Sequence, residues 1–287
     1  MDVPECKIVA IVGQTGSGKT ALAIDLAAKF NGEVICCDSR TVYSGMKIGT
    51  ASPKDSEMKG IKHHLLEITT PDKPINVAQF KDLCIGKISE ISSRGKLPFL
   101  VGGSGLYIDS VIFNYDFKDL SIDQREELKG LSEIELRTII ADRNLEIPIN
   151  SSNKRHLIST IHNNGKRKNR KLLDNCLVIG TKIDPDKLKK NIHKRTDNML
   201  REGLEDEVKD LAKIYDWDIE PIKSIGYREF RNYFENNISY DQLTAEINKD
   251  TLNYSKRQLT WFRRNKKIHW IDKQGEAVDL ITTFLSK

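Results

Sequence analysis

No apolar run in this chain of 287 residues approaches the ~20 residues that a membrane-spanning helix needs, so a soluble protein with no membrane partner is expected. It has no C-x-x-C pair. Five cysteines (Cys6, Cys36, Cys37, Cys84 and Cys176) leave one thiol odd, which argues against a disulfide framework or a zinc site and for a reducing, cytoplasmic setting. The start, MDVPECK, is acidic and leads directly into a strand, so no signal peptide is expected. Internal repeats and low-complexity tracts are lacking too. What remains is a chain with 38% hydrophobic residues, enough for a full core, and a mild net charge of +5 that is unevenly placed. Between Tyr254 and His269 there are six Lys/Arg and no acid, and Lys166 to Lys171 hold five in six positions. Such runs suit solvated helix faces or the footprint of a nucleic-acid binder, and composition alone does not choose.

The first 116 residues read as α/β. KIVAIVG is a buried strand, and Leu22, Leu26 and Phe30 give the segment after it an apolar helical stripe. EVICC and KLPFLVGG are further strands, each preceded by a helix-length segment, and this alternation implies a parallel sheet with ligands at the strands' carboxyl ends. From about 117 to 175 the text turns charged and helix-like, with no strand pattern until NCLVIG. Beyond that strand the chain reads as helical to near its end, with Ala245, Leu252 and Leu259 at seven-residue steps in the last long helix. The expected fold is a P-loop NTPase-like parallel sheet flanked by helices. Residues 1–116 and 176–287 form its catalytic core, and 117–175 form a helical insertion domain.

Gly13, Gln14, Thr15, Gly16, Ser17, Gly18, Lys19 and Thr20 match G-x-x-x-x-G-K-[ST] between a strand and a helix, the context this motif requires. The glycines let successive N–H groups turn toward one anion, and the helix N-terminus adds its dipole. Lys19 supplies a point charge, and the Thr20 hydroxyl is a candidate ligand for Mg²⁺. An NTPase of this fold also needs an Asp at the end of another strand. Here LPFLV runs instead into Gly102, Gly103, Ser104 and Gly105. Thr181, Lys182, Ile183 and Asp184 imitate a guanine-reading box, but the chain's one D-x-x-G, Asp272 to Gly275, comes too late to accompany it.

Asp38 stands at the carboxyl end of the second strand, facing the crevice that the phosphate loop faces. It could cap the next turn. Followed by Ser39, Arg40 and Thr41, it also suits a polar planar group as an acceptor among donors.

Together with GQTGSGKT, the blocks DSRTVYSGMKIGTASP (38–53), GIKHHLLEI (60–68), VGGSGLY (101–107), KRTDNMLREGLEDEV (194–208), SIGYREF (224–230) and SKRQLTWFRRN (255–265) stand in fixed order. In this the sequence resembles the tRNA dimethylallyltransferases, the tRNA isopentenyltransferase family. The resemblance covers most of 7–116 and 176–265. It implies transfer of a dimethylallyl group from dimethylallyl diphosphate to N6 of the adenosine on the 3′ side of the anticodon in tRNA. Mg²⁺ assists and diphosphate leaves, so the loop would hold a leaving group. Residues 13–20 would bind the diphosphate, with Lys223 a second cation or merely a surface lysine. Thr15 would donate to the departing bridging oxygen, and Asp38 would orient the adenine amine and take its proton. Asp38, Ser39, Arg40, Thr41, Ser104, Arg125, Lys154, Arg155, Arg257 and Gln258 would contact tRNA. The terminal segment mixes Lys256, Arg257, Arg263 and Arg264 with Tyr254, Trp261 and Trp270, which suits phosphates and stacked bases, although Trp261 also reads as core. A monomer is expected.

The chain departs from the family pattern in places. In INSSNKRHLISTIH, Arg155 can stand for the first arginine of the family's insertion element, but Ser159 and His162 replace its second arginine and its glutamate. Thr41 replaces a Gln, and Ser52 a Lys. Lys166, Arg167, Lys168 and Arg170 follow that element and are expected to hold tRNA phosphates in compensation. Two other readings stay open. A prenyltransferase of free adenine nucleotides would share the loop and Asp38 without needing the basic C-terminal segment, and a non-catalytic RNA-binding relative would not need Lys19, Thr20 and Asp38.

Overall fold

The computed structural model describes residues 3–117, 127–148, 151–162 and 171–287. The chain divides into two compact units, Met1–Asn114 with Leu172–Lys287, and Tyr115–Lys171.

The first unit is built on β1 (Ile8–Gly13), in which all six residues are buried. A strand apolar throughout is one covered on both faces. Ile8, Ala10 and Val12 join a cluster with Phe80, Ile88 and Ile108, while Val9 and Ile11 join one with Leu26 and Ile281. The period-2 alternation of a strand thus splits β1 between two cores. One layer holds α1 (Lys19–Lys29) and the last helix, Gln274–Leu285; the other holds Val77–Ser93 and Gly105–Ile112. Six parallel strands form the sheet. Their order is His63–His64, β2 (Gly32–Cys36), Leu97–Gly102, β1, Cys176–Thr181 and His269–Ile271. The chain leaves β1 for β2, two places away, and later returns to fill the gap with Leu97–Gly102. That reversal beside β1 gathers the carboxyl ends of three strands at one crevice.

Two strands escape the sequence pattern. His63–His64 is too short to show a period, and His269–Ile271 interrupts the C-terminal part that reads as helical. Asp184, the last residue of the guanine-box imitation, is the N-cap of a helix, Pro185–Arg201. Its carboxylate accepts the N–H groups of Asp186 and Lys187, and Pro185 follows at the first helical position. The seven-residue spacing in the last long helix does not mark its buried face. Helix Tyr240–Phe262 buries Leu243, Ile247, Asn248, Ser255, Gln258 and Phe262, whereas Ala245 is exposed and Leu252 and Leu259 are half-buried.

The second unit has its own small core of Leu136, Ile140, Leu157 and Ile161, contributed by helices Glu133–Asp142 and Lys154–His162. The first of these starts on a capping box in which Ser132 and Glu135 bond reciprocally. Among the described residues no helix is long and apolar enough to cross a membrane.

Candidate active site

The glycine-rich loop leaves β1 and enters α1 through Gly18, whose φ of +84° is left-handed backbone that glycine adopts without steric cost. Distant segments fix the loop. Gln14 Nε2 donates to Ser255 O (3.2 Å) and Oγ (2.9 Å), and Thr15 N–H donates to Gln258 Oε1 at 2.7 Å. Asn191 Nδ2 donates to Gly16 O at 2.8 Å, and Ser17 Oγ lies 2.7 Å from Thr181 Oγ1. Gln258 uses its other end too, donating to Gly103 O at 3.1 Å. It therefore ties the phosphate loop to the turn after Leu97–Gly102. The glycines of that turn admit the same helix closely: a Cβ on Gly103 would meet Gln258 Nε2 at 2.1 Å, and one on Gly105 the Trp261 ring at 2.3 Å. Trp261 is a packing residue whose Nε1 donates to Asp109 Oδ2 at 2.8 Å. The N–H groups that open α1 have no intrahelical acceptor and remain for an anion.

Asp38 follows β2, and Cys37 N–H, donating to Val101 O at 2.8 Å, continues the ladder up to it. Asp38 Oδ1 accepts Arg40 N–H at 2.9 Å, which is the capping bond the sequence allowed. Ser39 N–H donates to Ser104 Oγ at 3.0 Å, so the turns after two strands lock together beside Asp38. Arg40 is held from outside by Glu220, at 3.1 Å to its carbonyl and 3.0 Å to Oε1. Thr15 and Asp38 then line one cavity of about 290 Å³, with Arg195, Tyr254 and Arg257 on its helical walls.

Charge concentrates there. Arg195 Nη2 donates to Thr50 O at 3.0 Å. Burial and the neighbouring Arg195 pull the Lys19 ammonium down to about 8, against the opposing effect of Asp38. Arg195 is itself lowered by burial, and Asp38 counters this. Burial, with Asp38 second, raises the Tyr254 phenol.

Lys223 lines the cavity but pairs with Asp218 at 3.2 Å. Arg257 is exposed, with its guanidinium 5.7 Å from the Tyr254 ring centre. Thr41 is buried, its hydroxyl has no partner, and it does not line the cavity. Lys154 donates to Lys129 O, and Arg155 is exposed on the same helix; both belong to the second unit. Arg125 and the cluster Lys166, Arg167, Lys168 and Arg170 lie outside the described residues.

Sequence reasoning missed Arg195 and Glu207. Both stand inside the quoted block 194–208, and that was the available signal. Glu207, on helix Leu204–Ile214, accepts three consecutive N–H groups, from Lys47 (3.0 Å), Ile48 (2.8 Å) and Gly49 (3.0 Å). It also accepts the Tyr227 hydroxyl at 2.7 Å. A Cβ on Gly49 would meet the Tyr227 ring at 2.4 Å, so the loop lies flat on that ring. Thr50, the next residue, holds Arg195. Glu207 is half-buried, and Glu207→Ala, which strands these donors, is expected to cost roughly 1.5–3 kcal/mol of stability, the range for hydrogen bonds to a charged group. Glu207→Gln, which keeps one acceptor, should recover about half. Thermal unfolding of both variants checks this, and equal losses would show that the carboxylate's shape and charge do not hold the loop.

The IPP transferase family pattern matches residues 41–265. The chain is 37% identical to tRNA dimethylallyltransferase of Acetivibrio thermocellus, over 93% of this chain and 91% of that protein. It is also 37% identical to the Bacillus subtilis enzyme of the same name, over 92% and 90%. The crystal structure of the full-length tRNA isopentenylpyrophosphate transferase from Bacillus halodurans is similar, with a TM-score of 0.78 and 36% identity over 98% of this chain and 97% of that one.

Proposed function

We infer that this chain, which belongs to the IPP transferase family, is a tRNA dimethylallyltransferase. It moves the dimethylallyl group to N6 of the adenosine 3′-adjacent to the anticodon. The observation that carries the mechanism is the cavity lined by both Asp38 and Thr15 of the phosphate loop, with the Arg195 cation on its wall, electrostatically coupled to Lys19 and Asp38. Breaking an allylic C–O bond puts negative charge on the departing diphosphate. Lys19, Arg195 and the N–H groups opening α1 are placed to stabilise it. Thr15, on the cavity wall, can donate to the bridging oxygen as it leaves. The adenine amine has its lone pair spread into the ring. Asp38 accepts its N–H, aims it, and takes the proton as the new C–N bond forms. The target base must leave its stack to reach Asp38, as in base-modifying enzymes generally.

Among the described residues no group of three or more His, Cys, Asp or Glu could hold a metal. Thr20 is exposed on the first turn of α1, and its hydroxyl bonds to none of the described residues. This donor set fits Mg²⁺ carried in largely by substrate phosphate oxygens, with Thr20 as the protein ligand. Bound there, Mg²⁺ would neutralise charge on the leaving diphosphate. The reaction takes place where tRNA is found, in the cytoplasm, and the chain acts as a monomer.

Incubation with labelled dimethylallyl diphosphate and either bulk tRNA or AMP tests the reading. Label is expected in tRNA, with Mg²⁺ required and ATP not. Label in AMP alone would favour the free-nucleotide reaction. An obligatory ATP requirement, with ADP released in step with turnover, would overturn the assignment of the loop to a diphosphate leaving group.

A further inference from the structure

Helices Pro185–Arg201 and Tyr240–Phe262 wall two cavities. Arg195 and Met199 of the first, with Ile247, Thr251 and Tyr254 of the second, face the catalytic cavity. A second groove of about 770 Å³ lies between other faces of the same helices, a volume within the ~300–1,000 Å³ usual for ligand sites. Its lining on Tyr240–Phe262 repeats every four residues, through Thr244, Asn248, Leu252 and Lys256. Ala245 and Leu252, two of the residues at seven-residue steps, line it too.

Several polar groups of the groove have no partner among the described residues. Asn248 is 8% exposed, yet its Oδ1 is buried without a hydrogen-bond partner. A buried amide oxygen left unmet is costly, and because it is closed to solvent here, a donor from outside meets it only once the Asn248 side chain turns toward the groove that the residue lines. Among the described residues Arg201, Lys249 and Lys256 line the groove and form no ion pair, in contrast to Lys54, Lys209 and Lys213, which do. His193 adds a further basic group. Two acids, Asp197 and Asp241, line it as well. A site for phosphate alone has no use for them, and an acidic peptide would be repelled by them. Nucleotides satisfy both sets: phosphates meet the cations, and exocyclic amino groups meet Asp and Asn acceptors. Tyr240, 45% exposed at one end, offers a ring for stacking.

We propose that the groove between Pro185–Arg201 and Tyr240–Phe262 binds a single-stranded stretch of the substrate RNA beside the extracted base, with phosphates on Arg201 and Lys249 and a base edge on Asn248. The proposal rests on the tRNA reading above. It gives the strand a second hold on the helices that line the catalytic cavity, adding affinity beside the point where the flipped base enters.

The test is tRNA binding across a salt series, together with turnover at saturating tRNA, for wild type, Arg201→Ala/Lys249→Ala and Asn248→Ala. Each phosphate contact contributes roughly −0.7 to −0.9 to the slope of log K against log salt. The double variant should therefore be shallower by about 1.4–1.8, with turnover within about twofold of wild type. Asn248→Ala, which removes no charge, should weaken binding by a similar factor at every salt concentration. A double variant whose line runs parallel to wild type overturns the proposal and turns the groove toward a protein partner. An Asn248→Ala protein with wild-type affinity removes the base-edge contact and overturns it equally. Failure of the wild type to modify any tRNA defeats the underlying reading instead, and is seen before either variant is made.

Discussion

Replacing Asp38 with Asn is expected to lower the single-turnover rate about 10²–10⁴-fold, the usual contribution of a positioned general base and roughly 3–5 kcal/mol of barrier. The substitution is nearly isosteric. Asn retains an oxygen to accept Arg40 N–H, as Asp38 Oδ1 does. The turn and its lock through Ser39 and Ser104 should therefore persist, and Asn can still orient the adenine amine. What it cannot do is receive the proton. Affinity for tRNA and for dimethylallyl diphosphate should stay within about threefold while the chemical step collapses. Rapid-quench single turnovers with preformed enzyme–tRNA complex measure this. A rate within about threefold of wild type would remove Asp38 from proton transfer and leave it the capping role that the sequence also allowed.

The legible part of the molecule is the part written in contiguous residues. The loop from Gly13 to Thr20 is read from eight contiguous positions between a buried strand and a helix, and Asp38 follows another apolar run directly. Arg195, Glu207 and Gln258 act through bonds between remote segments, and no local pattern carries that. Gln258 reaches Thr15 across 243 positions, and Glu207 reaches Gly49 across 158. Gln258 read as a tRNA contact, whereas both ends of its amide hold the protein's own backbone. The seven-residue spacing of Ala245, Leu252 and Leu259 departs from the buried face for a related reason. A helix of 3.6 residues per turn facing a catalytic cavity on one side and a groove on another buries Leu243, Ile247, Ser255 and Gln258, a stripe half of whose members are polar. Polar residues serving a site erase the hydrophobic signal that would reveal the face.

The site's electrostatics lead to the second large effect. Burial chiefly, and Arg195 secondarily, pull the Lys19 ammonium down to about 8. Because kcat/KM reports the free enzyme, its value for dimethylallyl diphosphate should fall above about pH 8 as the ammonium that meets the diphosphate is lost. The limb in kcat should lie higher, since a bound diphosphate favours the charged lysine. Arg195→Gln removes one preorganised cation from the leaving group and should lower kcat about 10²–10³-fold. It also removes a like charge that disfavours protonation of Lys19, so the alkaline limb must move above 8. The move stops short of the ordinary lysine value of 10.5, because burial, the larger cause, remains. Asp38→Asn works in the opposite sense. It deletes the anion that favours the ammonium, so its residual activity should lose kcat/KM from a pH below 8. pH profiles of the three proteins over about pH 6–10 therefore carry a sign as well as a size. Displacement of the limb in opposite directions by the two variants identifies Lys19 as the titrating group, because each neighbour reaches it with its own charge. A limb that stays fixed in all three would assign it to the substrate or to another residue, and would separate Lys19 from the diphosphate.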